Sequence, residues 1–216
     1  MLVQLQEQEE LVLDIIEEYL NKNREFKIDE IIPYIQTRFR RSSLNLNYKG
    51  IETILKSLIK KNYILEGSKL VRSQILDNVK RRKVYEFVLK YPGTYFNHIV
   101  RELKLSNHVV VWHLNILLKF KFIQKEVIGK HEIYFDANKD FKDFELYYFT
   151  SKEKSQKIIK YLKQNNIGIT KTQLSEELHM HISTTDKYLK DLEKFNVIVK
   201  EKTSNKVLYF LNDKKY

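Results

Sequence analysis

No cysteine occurs among the 216 residues, which excludes a disulfide framework and any thiolate metal site. Two prolines and five glycines are the only strong breakers. So few of them argue against a loop-rich all-β fold and leave helices joined by short connections. No stretch approaches the roughly 18 consecutive apolar residues that a spanning helix needs. The opening MLVQLQEQEELVLDIIEEYL is acidic and amphipathic, without the basic start and apolar centre of a secretory signal. These absences predict a soluble, cytoplasmic protein with no membrane insertion. A Gly-rich phosphate loop, G-x-S-x-G and H-E-x-x-H are all missing as well. Neither enzymatic activity nor a cofactor is expected.

What is present is apolar residues at 43%, aromatics at 12% and a formal charge of +11. The first two are enough to build cores. The third is the electrostatic footprint of a nucleic-acid binder, because lysines near phosphates release condensed counterions. Lysine far outnumbers arginine and alanine occurs only at Ala137, a bias that AT-rich coding also produces, so charge alone decides little.

An internal repeat organises the chain. At a spacing of 75 residues the segment from Val84, VYEFVLKYPGTYFNHIVRELKLSNHVVVWHLNILLKFKFIQKEVIGKHEIYF, falls without a gap on the segment from Ile159, IKYLKQNNIGITKTQLSEELHMHISTTDKYLKDLEKFNVIVKEKTSNKVLYF. Gly93 meets Gly168, Leu103 meets Leu178, Leu114 meets Leu189, Leu117 meets Leu192, Phe120 meets Phe195 and Ile123 meets Ile198. In each copy a first amphipathic helix is predicted to end at Gly93 or Gly168, glycine being suited to a left-handed cap. A short second helix follows. The third carries Val110, Leu114 and Leu117 at i, i+4, i+7, with Ser106 as its N-cap in one copy and Ser183 with Asp186 as a capping box in the other. Two short β-rich runs joined by turn residues then form a hairpin.

A more diverged copy precedes these two. Leu55, Leu58 and Ile64 have the mutual spacing of Leu114, Leu117 and Ile123, Gly67 and Ser68 stand where a clipped hairpin belongs, and Pro33 must kink or cap the second helix. The predicted class is mainly α with small β-hairpins, an α+β fold. Its domains are 1–75, 76–136 and 151–216, joined by an aromatic connector at 137–150.

Three helices and a hairpin make a winged helix. The stretch YPGTYFNHIVRELKLSNHVVVWHLNILLKFKFI at residues 91–123 resembles winged helix-turn-helix regulators of the ArsR and MarR kind, especially the archaeal ones. The resemblance covers about 55 residues in each copy and consists of core and turn positions. It implies three winged-helix domains in tandem, double-stranded DNA as partner and a role in transcription regulation.

Such proteins place the third helix in the major groove and the hairpin on phosphate. In the second copy the outward positions are Asn107, His108, Val111, Trp112 and Asn115. Asn and His suit base edges and Val a thymine methyl, but Trp112 fits a groove poorly. Val111 and Trp112 read equally well as an interface with another domain or subunit. The third copy offers Lys171, Ser183, Thr184, Lys187 and Lys190, with Lys202, Asn205 and Lys206 on its hairpin. Residues 147–216 carry 14 basic against 8 acidic side chains, +6, whereas residues 1–75 carry 12 against 11, +1. Asp186 is the objection on that face. The first copy contributes Lys49 and an arginine cluster, Arg38, Arg40 and Arg41, suited to phosphate. Arg81 to Lys83 form a further basic run, read by default as a solvated helix face.

The connector aromatics Phe141, Phe144, Tyr147 and Tyr148 are too many for a solvated tether and are expected to pack on a neighbouring unit or a second chain, as in a homodimer. The six histidines lack zinc spacing, so no metal site is expected and His113 is read as structural. Two rival readings keep the fold and change the partner. One is a protein-interaction module of the kind found in endosomal-sorting or RNA polymerase accessory subunits; the other is an RNA binder.

Overall fold

The computed structural model describes residues 5–40, 46–165, 168–203 and 205–212. They are mainly helical with two small antiparallel sheets, an α+β fold. The chain divides into two compact units, one comprising 1–89, 97–125 and 136–140, the other 90–96, 126–135 and 141–216.

The first unit begins with α1 (Glu7–Lys22), α2 (Ile28–Phe39) and α3 (Tyr48–Lys60). Apolar side chains at helical spacing face inward: Val12, Ile16 and Leu20 from α1, Ile31, Ile32 and Ile35 from α2, and Ile51, Leu55 and Leu58 from α3 are all buried. Pro33 lies inside α2 rather than capping it, and its ring faces solvent. The segment carrying Gly67 and Ser68 is a turn and not a hairpin: Gly67, at φ 74°, donates its N–H to the Phe26 carbonyl at 3.0 Å. A short 3-10 helix, Arg72–Asp77, leads to α4 (Val79–Lys90), α5 (Phe96–Leu103) and α6 (Asn107–Lys119), whose bodies belong to this unit.

One carboxylate ties the ends of two helices in this unit. Glu9, 3% exposed, completes a capping box by accepting from the Gln6 N–H at 2.8 Å. It also accepts from Ser57 Oγ at 2.6 Å and from Lys61 Nζ at 2.6 and 2.8 Å. Burial pushes its carboxyl up, but the bonds from Lys61, Ser57 and Gln6 outweigh this and hold it down to about 2.

The second unit contains β1 (Thr94–Tyr95) and most of the hairpin β2 (Ile123–Ile128) and β3 (His131–Asp136), in the sheet order β1-β3-β2. The expected connector is not a tether, because it carries α7 (Phe144–Ser151). Phe141 and Tyr148 are buried with Ile133 and Phe135, and Phe144 and Tyr147 pack partly buried on the same cluster. Phe135 lies 4.8 Å from Phe141 and 4.9 Å from Phe144, ring to ring. Gly93 is indeed left-handed, at φ 82°, and α7 needs it there: a Cβ would lie 2.6 Å from the Tyr147 carbonyl carbon. The unit continues with α8 (Glu153–Asn165), α9 (Lys171–Glu177), α10 (Ile182–Lys194) and the hairpin β4 (Ile198–Lys202) and β5 (Val207–Leu211). Gly168 is not left-handed, contrary to the cap expected of it. It keeps space for the Phe210 ring, from which a Cβ would be 2.3 Å away.

The repeat is visible in backbone detail. α3, α6 and α10 each have 13 residues, with N-caps at Asn47, Ser106 and His181. All three end in the same Schellman stop. Asn62, Lys121 and Asn196 take φ 59°, 54° and 54°. The next N–H, of Tyr63, Phe122 and Val197, returns to the carbonyl of Leu58, Leu117 and Leu192 at 2.9, 2.9 and 3.0 Å. The strand pair Thr94 and Tyr134 recurs 75 residues on as the bridge between Ile169 and Tyr209.

Glu9→Gln is expected to cost about 2 to 3 kcal/mol, the worth of hydrogen bonds to a buried charge, as measured by urea unfolding. Because the folded-state value is depressed, the Glu9 contribution is fully present above the ordinary 4.5 and is lost as pH falls through about 2; the acid limb of the stability curve of the variant should be correspondingly flatter.

Candidate nucleic-acid interface

The face of α10 is built by its neighbours. Thr170 caps α9, its hydroxyl accepting from the Gln173 N–H at 3.3 Å while Gln173 Oε1 accepts from the Thr170 N–H at 3.1 Å. α10 begins at His181, whose Nδ1 accepts from the Ser183 N–H at 3.3 Å. The box expected from Ser183 to Asp186 therefore does not form. Thr185, Leu189 and Leu192 turn inward, and Ser183, Lys187, Lys190 and Lys194 form the exposed stripe, with Thr184 half-buried beside it.

Asp186, the acid that counted against this face, is answered by two lysines. Lys171 Nζ lies 2.9 Å from Oδ1 and Lys190 Nζ 2.8 Å from Oδ2. Their hydrogen bonds, that of Lys171 first, hold the carboxyl down to about 2. The three side chains together keep a charge of +1. Lys194 is paired with Glu145 at 3.0 Å and Lys200 with Glu193 at 2.7 Å. Among the described residues Lys187 on α10 and Lys202 and Lys206 on the hairpin make no ion pair. Asn205 is exposed beside them in the turn from β4 to β5.

The corresponding helix of the second copy has a different surface. Asn107, His108, Val111, Trp112 and Asn115 are all exposed on α6, Val111 by 46% and Trp112 by 52%. The face is polar at its start and apolar at its middle, with no basic residue before Lys119.

The chain is similar to a helix-turn-helix regulator. Over 169 residues it is 27% identical to an uncharacterized HTH-type transcriptional regulator of Methanocaldococcus jannaschii, an alignment covering 78% of this chain and 42% of that protein. The chain thus spans less than half the length of this relative. No protein-family profile matches. A crystal structure of a Corynebacterium diphtheriae protein aligns over 83% of this chain and 39% of that one at 10% identity, with a TM-score of 0.27, too low to carry an argument.

The remaining sequence candidates are scattered. Arg38 is engaged by Glu18 and by the Tyr34 hydroxyl, at 3.0 Å from the latter; Arg40 is exposed at the end of α2 and Lys49 in the first turn of α3. Arg41 lies outside the described residues. Arg81, read from sequence as part of a solvated face, is instead 3% exposed. His113 is buried, with burial and the nearby Arg81 and Lys80 pushing its imidazole below the ordinary range. Among the described residues no group of three histidines or carboxylates is placed to hold a metal ion, and no helix is long and apolar enough to cross a membrane. Two features escaped the sequence reading: the pairing of Lys171 across to Asp186, 15 residues away, and the burial of Arg81.

Carboxyl-carbon NMR is expected to show Asp186 titrating near 2. In Lys171→Ala the midpoint should move up toward the ordinary carboxylate range, because the largest cause of the depression is removed.

Proposed function

We propose that the chain is a cytoplasmic, DNA-binding transcriptional regulator built from tandem winged helix-turn-helix units of the ArsR and MarR kind. In this reading α10 lies in the major groove and the β4–β5 hairpin touches phosphate. The observation that carries it is the exposed stripe of Ser183, Lys187 and Lys190 on α10, accompanied by uncommitted Lys202 and Lys206 on the following hairpin. The designation of the archaeal relative supports the same reading. α3 and α6 are weaker contributors; covalent linkage raises their effective concentration on a long site, so modest individual affinity suffices.

A second partner is favoured by one observation. Val111 and Trp112, exposed by 46% and 52%, have the composition of a protein-interface centre and not of a groove reader. On this reading α6 meets a second copy or a protein partner while α10 holds DNA.

Fluorescence anisotropy on duplex fragments of the source genome tests both. Affinity is expected to fall steeply with salt. Joint replacement of Lys187, Lys202 and Lys206 by alanine should reduce the log–log salt slope by about 0.9 per lost phosphate contact. Absence of binding even at low salt would contradict the proposal. Trp112→Ala should leave DNA affinity unchanged while lowering any self-association seen by sedimentation.

A further inference from the structure

The first unit contains two arginines that are largely withdrawn from water, and only one of them is satisfied. Arg72 donates to the Phe120 carbonyl and stacks over the Phe122 ring at 4.4 Å. Arg81 is 3% exposed, yet its Nε and Nη1 have no hydrogen-bond partner. Its guanidinium rests against the Trp112 ring at 5.4 Å, and the charge of Asp77 acts on it without a hydrogen bond to either of those nitrogens. A guanidinium remains charged at any physiological pH. Enclosing one without an acceptor is strongly unfavourable, so this one calls for an anion.

The surroundings supply room and the right potential. Arg81 lines a cleft of about 700 Å³ with Leu65, Leu70, Trp112, Ile116 and Phe120, and Lys69 and Lys119 stand at the same cleft. That volume is within the range of small-molecule sites, and an apolar lining with one or two fixed polar groups is their usual composition. Arg81 sits in the first turn of α4, flanked by Lys80, Arg82 and Lys83. The positive end of the helix dipole repels it there and would attract an anion beside it. His113, buried with its ring 4.9 Å from that of Trp112 and with an unpartnered Nδ1, has its imidazole pushed down first by burial and then by the nearby Arg81 and Lys80. Glu66 also lines the cleft, but its carboxylate is engaged by the Ile28 N–H at 3.1 Å.

We propose that this cleft binds a small organic acid, its carboxylate on Arg81 and its apolar body against Trp112, Ile116 and Phe120. The site is independent of whether α10 reads DNA. A compact inorganic anion would leave the apolar wall uncovered, and a neutral molecule of the same shape would leave Arg81 unpaired.

Trp112 is the only tryptophan in the chain, so its fluorescence reports directly on the cleft. The full chain is titrated with sodium benzoate, with benzamide as neutral isostere and with inorganic phosphate, at constant ionic strength. The expected result is a saturable change with benzoate alone, accompanied by a rise in Tm. Arg81→Met should weaken benzoate binding by about 10- to 100-fold, the worth of a hydrogen bond to a charged group. It should itself melt no lower than the wild type, because an unpaired buried charge has been replaced by an apolar chain of similar length. Arg81→Lys should bind with intermediate affinity. No saturable response to benzoate, an equal response to benzamide or phosphate, or an equal response in a folded Arg81→Met protein would each overturn the proposal.

Discussion

Each 13-residue third helix is stopped by the same two backbone hydrogen bonds, made by Asn62 and Tyr63, by Lys121 and Phe122, and by Asn196 and Val197. The stop requires a left-handed residue, which costs roughly 1 kcal/mol or more for most side chains and less for asparagine, the residue at 62 and 196; Lys121 bears the full cost. It is held because the carbonyls of Leu58, Leu117 and Leu192 would otherwise lack partners at a buried helix end. The same leucines fill the cores, so capping and packing act on one side chain. Reversal of the chain at this point sends Ile123 and Ile198 into strands and Ile64 into a buried irregular segment. The outward face of each third helix is thereby fixed relative to the segment that follows it.

What differs among the copies is the chemistry placed on that fixed face. On α10 it is hydroxyls and lysines, with Asp186 neutralised by Lys171 from α9 and Lys190 from the next turn. On α6 it is amides, a histidine and an exposed apolar pair. On α3 Lys56 is already paired with Glu52 at 2.7 Å. One backbone solution thus supports surfaces of different partner chemistry, which is why fold alone does not give function here.

The sequence made the core legible because leucine and isoleucine spacing is dictated by the helix period: Leu114, Leu117, Leu189 and Leu192 are all buried. It made the stops only partly legible, since asparagine at 62 and 196 suits a left-handed stop. Lysine at position 121 carries no signal for a left-handed conformation, and glycine at 168 gave a false one because its use is clearance for Phe210. The start of α10 was misplaced because histidine is an uncommon N-cap, while Ser183 two residues later is a common one. Lys171 and Arg38 were legible as basic but not as paired, since Asp186 and Glu18 lie on other helices; Lys190, by contrast, meets Asp186 at i, i+4 within α10. Arg81 was hidden for the same reason: an arginine within a basic run reads as solvated, and its burial beside Trp112 depends on tertiary packing.

In the proposed function the face of α10 and the turn after β4, more than the face of α6, meet nucleic acid. Backbone amide NMR of the full chain titrated with a bound duplex tests this most directly. The account predicts that the largest shifts fall on Ser183 to Lys190 and on Lys202 to Lys206, with smaller ones on Asn107 to Asn115. Shifts centred on Val111 and Trp112, with α10 and its hairpin unmoved, would contradict it.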